Sequence, residues 1–298
     1  MLIPSRNKPH TLPIGIWLNG DTVEFVWFDQ HETIQMCQIV PAQLSDYHAF
    51  IHHRLEQKTI DDQEIQYHFQ FITAILPHRI WSKTLIIPHL LTDQECEQQC
   101  RYTLHHELPM PLEQVWYDYC YTPISHPTQA STSTNLTIFA LTKDSAQAHM
   151  ALFPGIDISV LDHAAHAILR AFYYLRPELQ SDPEILWVYQ DDNACLAFQN
   201  YPHELRIVQQ ESSNLNILLA KFRQRYIYEP DRCIIYRNLS ESEELPEYFE
   251  ELKTIFPVMA LGCALWGRDN KAAQQAAREE AEKQRTSHKQ IPYQYEMD

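Results

Sequence analysis

Three short apolar strands feeding a helix occur twice in this chain, and that repetition constrains the fold more than any other feature. The first set spans residues 12–19, 22–29 and 33–40; the second spans 185–190, 194–199 and 204–209. Valine, isoleucine, phenylalanine and tryptophan crowd these runs, a composition suited to strands buried on both faces. Pro41 opens a helix, "PAQLSDYHAFIHHRLEQ", after the first set, and "NLNILLAKFRQRY" follows the second. At 298 residues the chain exceeds an ordinary single domain. The pattern predicts a duplicated α/β architecture.

The intervening sequence predicts strands at 67–76, 83–87, 115–121 and 135–142. Thr92 or Asp93 can cap a helix with Cys96, Cys100 and Leu104 on one face, and Pro109 and Pro111 end it. "KDSAQAHMALF" reads as a short helix. After a strand near Ile156, a longer helix from Asp162 carries a stripe of Ala164, Ala167, Ile168, Ala171, Phe172 and Leu175. A strand at Cys233–Tyr236 and a helix near Leu245–Thr254 complete the second unit. From Arg268 the chain turns polar, as a solvated helix or a segment without order.

Composition excludes several functions. Only 5 glycines are present, whereas average usage is about 7%. Phosphate-cradling loops need glycine so that backbone N–H groups can approach the ligand. A net charge of −16 disfavours direct binding to nucleic acid or anionic lipid and suits a basic partner. No stretch approaches 18 apolar residues, and "MLIPSRNKPHTLP" lacks a signal-peptide core, so a cytoplasmic chain is expected. Seven scattered cysteines (37, 96, 100, 120, 195, 233, 263) read as reduced, mostly buried thiols. Cys96 and Cys100 near His105 and His106 lack the spacing of a zinc site and read as core thiols. His163 and His166 beside Asp162 read as partly exposed polar residues, the acidic run "SESEELPEYFEE" as a solvated face, and the six tryptophans as core. No metal site, P-loop or G-x-S-x-G motif is expected.

Four segments, in order, resemble the type IV pilus assembly protein PilM family. Ile14, Gly15, Ile16, Trp17, Leu18, Asn19, Gly20, Asp21, Thr22, Val23 and Glu24 overlie a family opening of the form I-G-I-D-I-G-S-S-S-V-K. Arg101, then Leu108, Pro109, Met110, Pro111, Leu112, Val115 and Asp118, are similar to a helix arginine followed by I-P-F-P-L-x-x-V-x-x-D. "LDHAAHAILRAF" resembles D-x-E-x-x-A-x-x-R-A, and "VMALGCALWG" resembles V-A-x-G-L-A-L-R-G. Brevity and low glycine fit a reduced branch like the competence protein ComA.

The resemblance implies an actin-like fold related to FtsA, with subdomain sets around a nucleotide cleft. It divides the chain into a first core subdomain (1–66), an inserted α/β subdomain (67–154), the remaining core with the second actin-like subdomain (155–267), and a tail (268–298). The family's first aspartate falls on Trp17, the glycine after it on Asn19 and its lysine on Glu24. The second D-I-G hairpin falls on Tyr189, Gln190 and Asp191, and the adenosine glycines on Asn238 and Leu239. Trp17, Asn19, Gly20, Asp21, Thr22, Tyr189, Asp191 and Asp192 would then line a vestigial cleft. One like-charge contact at ~4 Å costs roughly 4 kcal/mol at an effective dielectric near 20, about half of micromolar binding. A non-enzymatic scaffold of a pilus or DNA-uptake machine is expected, without a cofactor. The alternative is an active ATPase holding magnesium ATP through Asp21, Thr22, Asp191 and Asp192.

The implied partner is a PilN-like inner-membrane protein, whose cytoplasmic N-terminal tail enters a groove between the first core subdomain and the insert. Arg101, Glu107, Pro109, Pro111 and Asp118 are the candidates for shaping that groove. The chain would reach the membrane only through this partner. Self-association is compatible with the resemblance, and direct contact with DNA is not expected.

Overall fold

The computed structural model describes residues 10–29, 31–40, 67–125, 132–192, 194–201, 204–239 and 244–268. The helix expected after Pro41 and the tail beyond Arg268 lie outside the described residues.

The first hairpin pairs β1 (His10–Asn19) with β2 (Thr22–Phe28), and β3 (Ile34–Ile39) adds antiparallel to β2. Gly20 takes φ +56° at the first of the two turn positions, where glycine avoids a Cβ clash. β4 (Tyr67–Ile75) joins β1 in parallel, and β8 (Ile158–His163) joins β4 in parallel, giving the order β3-β2-β1-β4-β8. Between β4 and β8 the chain builds a three-stranded antiparallel sheet, β5 (Trp81–Ile87), β6 (Val115–Ser125) and β7 (Thr132–Thr142), in the order β5-β7-β6. Helix α1 (Asp93–Glu107) covers one face of this sheet, and α2 (Lys143–Met150) follows β7. β4 lies inside the first sheet, between β1 and β8, and the three-stranded sheet follows it in the chain.

The second half repeats the first. β9 (Ile185–Asp191), β10 (Cys195–Tyr201) and β11 (Glu204–Gln210) form a meander, and β12 (Arg232–Asn238) and β13 (Phe249–Glu251) add in parallel beyond β9. The order β11-β10-β9-β12-β13 matches the first sheet strand for strand. Helix α4 (Leu215–Tyr226), capped by Asn214 accepting from the Ile217 N–H at 3.1 Å, covers the outer face.

Two helices, α3 (Ala164–Leu175) and α5 (Val258–Ala264), sit in one core with Val26, Phe28, Ile72 and Ala74 of the first sheet and Trp187, Tyr189, Phe198 and Ile234 of the second. Their contacts are close enough to demand glycine. A Cβ on Gly262 would lie 1.8 Å from the Ala167 carbonyl oxygen of α3, and one on Gly15 would lie 1.9 Å from the Ala260 carbonyl oxygen of α5. Arg170 of α3 donates from Nε (3.2 Å) and Nη2 (3.1 Å) to the Gly262 carbonyl oxygen, and its guanidinium also pairs with Asp162 at the end of β8. The guanidinium thus joins a strand, an inner helix and the helix that crosses it.

Three sequence expectations are corrected here. Residues 162 and 163 end β8 instead of opening the helix, so His163 is buried with its ring 4.9 Å from that of His166. The helix expected at Leu245–Thr254 is instead a three-residue strand. Its acidic side chains are paired: Glu250 with Arg176 and Arg232, and Glu251 with Arg237. Trp116 is 43% exposed on β6, not core.

Buried histidines set an acid limit on the fold. His149 of α2 packs edge-on against Phe153 with Nε2 3.5 Å from Thr73 Oγ1, and burial pushes it down to about 4. Burial, with the neighbouring His166, pushes His163 down to about 3. The unfolded chain takes these protons first, near pH 6.5, so stability is full above that pH and falls as pH drops toward 4 and 3 respectively. By pH 5 each histidine withdraws up to about 2 kcal/mol. Urea midpoints at pH 7 and pH 5 should differ accordingly, and His149→Gln with His163→Gln should flatten the difference; an unchanged slope in that double variant would reject this origin.

Candidate functional site

Two places gather the residues singled out in the sequence. The first lies between the two core sheets. β1 and β2 set Trp17 directly opposite Glu24, and β9 and β12 set Tyr189 directly opposite Tyr236. Glu24 is 6% exposed, and its Oε1 accepts from Asn19 Nδ2 at 3.0 Å and Gln38 Nε2 at 3.5 Å. Burial raises this carboxyl above its ordinary range, the two amide bonds opposing that rise. The Tyr189 and Tyr236 rings stack 5.8 Å apart, and Trp17 and Tyr236 both pack on the cluster that contains Tyr189. Burial drives both phenols upward, and the negative field of Glu24 acts on each in the same direction. Carboxylate and phenols therefore face one another across the two sheets.

Asp191 supports this wall from the side. Its Oδ1 accepts from the Ala194 N–H at 2.7 Å and closes the β9–β10 turn, and the buried Tyr189 hydroxyl donates to its carboxylate. Gly20 and Asp21 lie at the exposed hairpin tip, with Thr22 half-buried at the base, and Asp192 is exposed beyond β9. The structure thus brings together Trp17, Asn19, Tyr189 and Asp191, and leaves Gly20, Asp21 and Asp192 at the margin. Tyr236 and Gln38 belong to the group and were not singled out; the matched parallel register of β12 on β9 is what brings Tyr236 in.

The second place is the turn after α1. Thr92 and Glu95 form a capping box, with Thr92 N–H to Glu95 Oε2 at 2.7 Å and Glu95 N–H to Thr92 Oγ1 at 3.3 Å. The helix ends at Leu108, whose N–H reaches the Leu104 carbonyl at 3.0 Å. Pro109 and Pro111 cannot continue it. A single 3-10 turn, Leu112–Gln114, then leads into β6. This path leaves an open groove of about 470 Å³ lined by His105, Leu108, Pro109, Met110, Pro111, Leu112 and Glu113.

Of the five groove candidates, Pro109 and Pro111 line it. Glu107 lies between the lining residues His105 and Leu108 in the chain but pairs with Lys83 of β5. Arg101 projects from the outer side of α1, 3.9 Å from Glu97. Asp118 lies farther along β6, where its Oδ1 accepts from the Tyr119 N–H at 2.8 Å. Met110, Leu112, His105 and Glu113 are further lining residues. Cys96 and Cys100 lie in the core beneath α1, and burial pushes their thiols up to about 11 and about 12, inert values for nucleophile or ligand.

Residues 58–188 match the family model for the type IV pilus assembly protein PilM, somewhat under half of the chain. The matched segment contains the whole three-stranded sheet and the groove. No curated protein matches the chain. Among solved structures, a PilM–PilN type IV pilus biogenesis complex is similar at 12% identity and TM-score 0.44, over 73% of this chain and 66% of that one, just under two thirds of its length. The cytoplasmic domain of EpsL, an inner-membrane component of the Vibrio cholerae type II secretion system, is similar at 14% identity and TM-score 0.45, over 85% and 92%. The ethanolamine utilization protein EutJ from Carboxydothermus hydrogenoformans is similar at 10% identity and TM-score 0.41, over 88% and 92%. The doubled strand order around two inner helices is the duplicated α/β architecture that the sequence predicts.

Proposed function

We propose that this chain, a PilM-like protein of actin-like fold, is a scaffold at the cytoplasmic face of a type IV pilus or DNA-uptake machine. It takes the N-terminal tail of a PilN-like single-span protein, and its cleft neither holds nor hydrolyses ATP. The observation that carries the reading is the quartet of Trp17, Glu24, Tyr189 and Tyr236 between the core sheets. Nucleotide chemistry needs oxygen ligands for magnesium and N–H donors for phosphate. Here an indole, a phenol and a desolvated carboxylate (Trp17, Tyr189 and Glu24) stand where the family resemblance puts the two aspartates and the lysine, and the Tyr236 phenol stacks beside them. A triphosphate placed against Glu24 and Asp191 meets two acids of its own sign.

The groove after α1 supports the partner half of the reading. It lies inside the PilM-matched segment, its lining is mostly apolar with Glu113 at one end, and the chain is strongly acidic. A tail just ahead of a membrane span tends to be basic, and an extended segment can place alternate side chains into such a groove. The resembling complex pairs PilM with PilN, and PilN gives the probe its chemistry.

The test is calorimetry on purified protein with a PilN-like N-terminal peptide and, separately, with magnesium ATP. Peptide binding in about the micromolar range, with no heat from ATP, is the expected result. Met110→Asp should weaken the peptide at least about tenfold by placing a charge in the apolar lining. Micromolar ATP binding, or hydrolysis lost in Asp191→Ala, would overturn the scaffold reading in favour of an ATPase.

A further inference from the structure

Among the described residues no strand pairs with the outer edge of β6, and Asp118 stands on that edge. β6 pairs with β7 along its whole length, from Val115 opposite Thr142 to Ser125 opposite Thr132, and is the edge strand of its sheet. In an antiparallel ladder, alternate residues direct their N–H and C=O groups to opposite sides. The Tyr119 N–H is taken by its own neighbour, Asp118 Oδ1, at 2.8 Å. That local bond occupies the position that a carbonyl of an added strand would fill.

The edge is also held stiff, and its first eight residues are unguarded. From its other face the hydroxyls of Tyr117, Tyr119 and Tyr121 donate to α1, at Glu97 Oε1 (2.6 Å), the Asp93 carbonyl (3.2 Å) and Asp93 Oδ1 (2.8 Å). Exposed sheet edges are commonly protected by lysine, proline or a bulge. β6 carries one of these, Pro123 near its far end; residues 115–122, "VWYDYCYT", have no lysine or proline, and their register on β7 shows no shift. The groove adjoins β6 along the chain: Leu112 and Glu113 of its lining precede Val115 by one short turn.

Resting on the tail-binding reading above, we infer that the partner tail, on leaving the groove, adds to β6 as a fourth strand and displaces Asp118 from the Tyr119 N–H. The freed carboxylate then meets a lysine or arginine of the tail, and the half-exposed Trp116 receives an apolar side chain two positions away on the same face. The occupant is thus an extended segment alternating apolar and basic residues. Its sequence matters through side-chain spacing, and its affinity draws on backbone hydrogen bonds.

Two tail peptides, N-methylated at complementary alternate residues, separate this from binding by side chains alone. Only one set of backbone N–H groups faces β6, so calorimetry on the full chain should show one peptide at least about tenfold weaker than the other, from two or more lost hydrogen bonds. Hydrogen exchange should slow at the Tyr119 amide when the unmodified peptide binds. Equal affinity of the two methylated peptides, or protection confined to residues 105–113, would overturn strand addition while leaving the groove reading intact. An unmodified peptide that fails to bind would overturn both.

Discussion

Gly262→Ala is expected to remove about 3 kcal/mol or more of stability, the upper range for an overpacked core. The added methyl would meet the Ala167 carbonyl carbon at 2.3 Å and its oxygen at 1.8 Å, and neither atom can turn aside as a flexible side chain would. α5 must then lift away from α3, which also pulls the Gly262 carbonyl from Arg170. Gly15→Ala should behave similarly, since its methyl would meet the backbone of α5 from the strand side. Gly20→Ala is the control: nothing lies within 4 Å, so only the +56° backbone opposes alanine, at about 1 kcal/mol. Urea denaturation of the three variants should rank Gly262 and Gly15 well above Gly20. A Gly262→Ala protein as stable as the parent would mean that α3 and α5 do not cross at this distance.

Arg170→Ala is expected to cost about 3–5 kcal/mol, because it strands Asp162 in a site where that carboxylate is 10% exposed. The same change leaves the Gly262 carbonyl without its two guanidinium bonds. Arg170→Lys should recover little, because one ammonium lacks the planar fork that spans a carboxylate and a carbonyl together. Removing both charges, with Asp162→Asn and Arg170→Leu, should be milder than Arg170→Ala alone, since no buried charge is left unpaired. Stability of the double variant below that of Arg170→Ala would show that the pair itself, not the orphaned charge, dominates.

The Asp162–Arg170–Gly262 contact also explains why parts of the family resemblance were readable. "LDHAAHAILRAF" supplies the aspartate and the arginine, and "VMALGCALWG" supplies the glycine, so two distant sequence segments meet at one guanidinium. The meanders were legible because strands buried on both faces leave dense runs of branched and aromatic residues, as in "ILWVYQD". Helix α1 was legible from its cap and its prolines. The acidic segment around Glu250 misled because its charges resemble a solvated helix, whereas here they answer Arg176, Arg232 and Arg237 brought in from other elements. Tertiary pairing overrode local propensity there. His163 misled for a related reason: the strand before α3 runs two residues farther than the helical pattern shows, carrying the ring inward.

The candidate cleft was half legible. Trp17 and Tyr189 stood out in the sequence, but the partners that complete the group, Tyr236 and the amides of Asn19 and Gln38 around Glu24, depend on which strands pair. Strand order is a long-range property that no local motif encodes. The groove was partly legible too, through Pro109 and Pro111, because proline acts on its own neighbourhood.

The placement of α5 has a consequence in time. This helix closes the inner face of the first sheet, yet β1 is made some 245 residues before it, roughly 10–50 s at ordinary rates of chain elongation. During that interval Val26, Phe28, Ile72 and Ala74 lack the surface that finally covers them. The amino-terminal half is therefore not a unit that can mature alone on the ribosome. It waits, apolar side open, for the carboxy-terminal helix to arrive, and a chaperone that shields a half-finished sheet would have its strongest hold on this chain in that window.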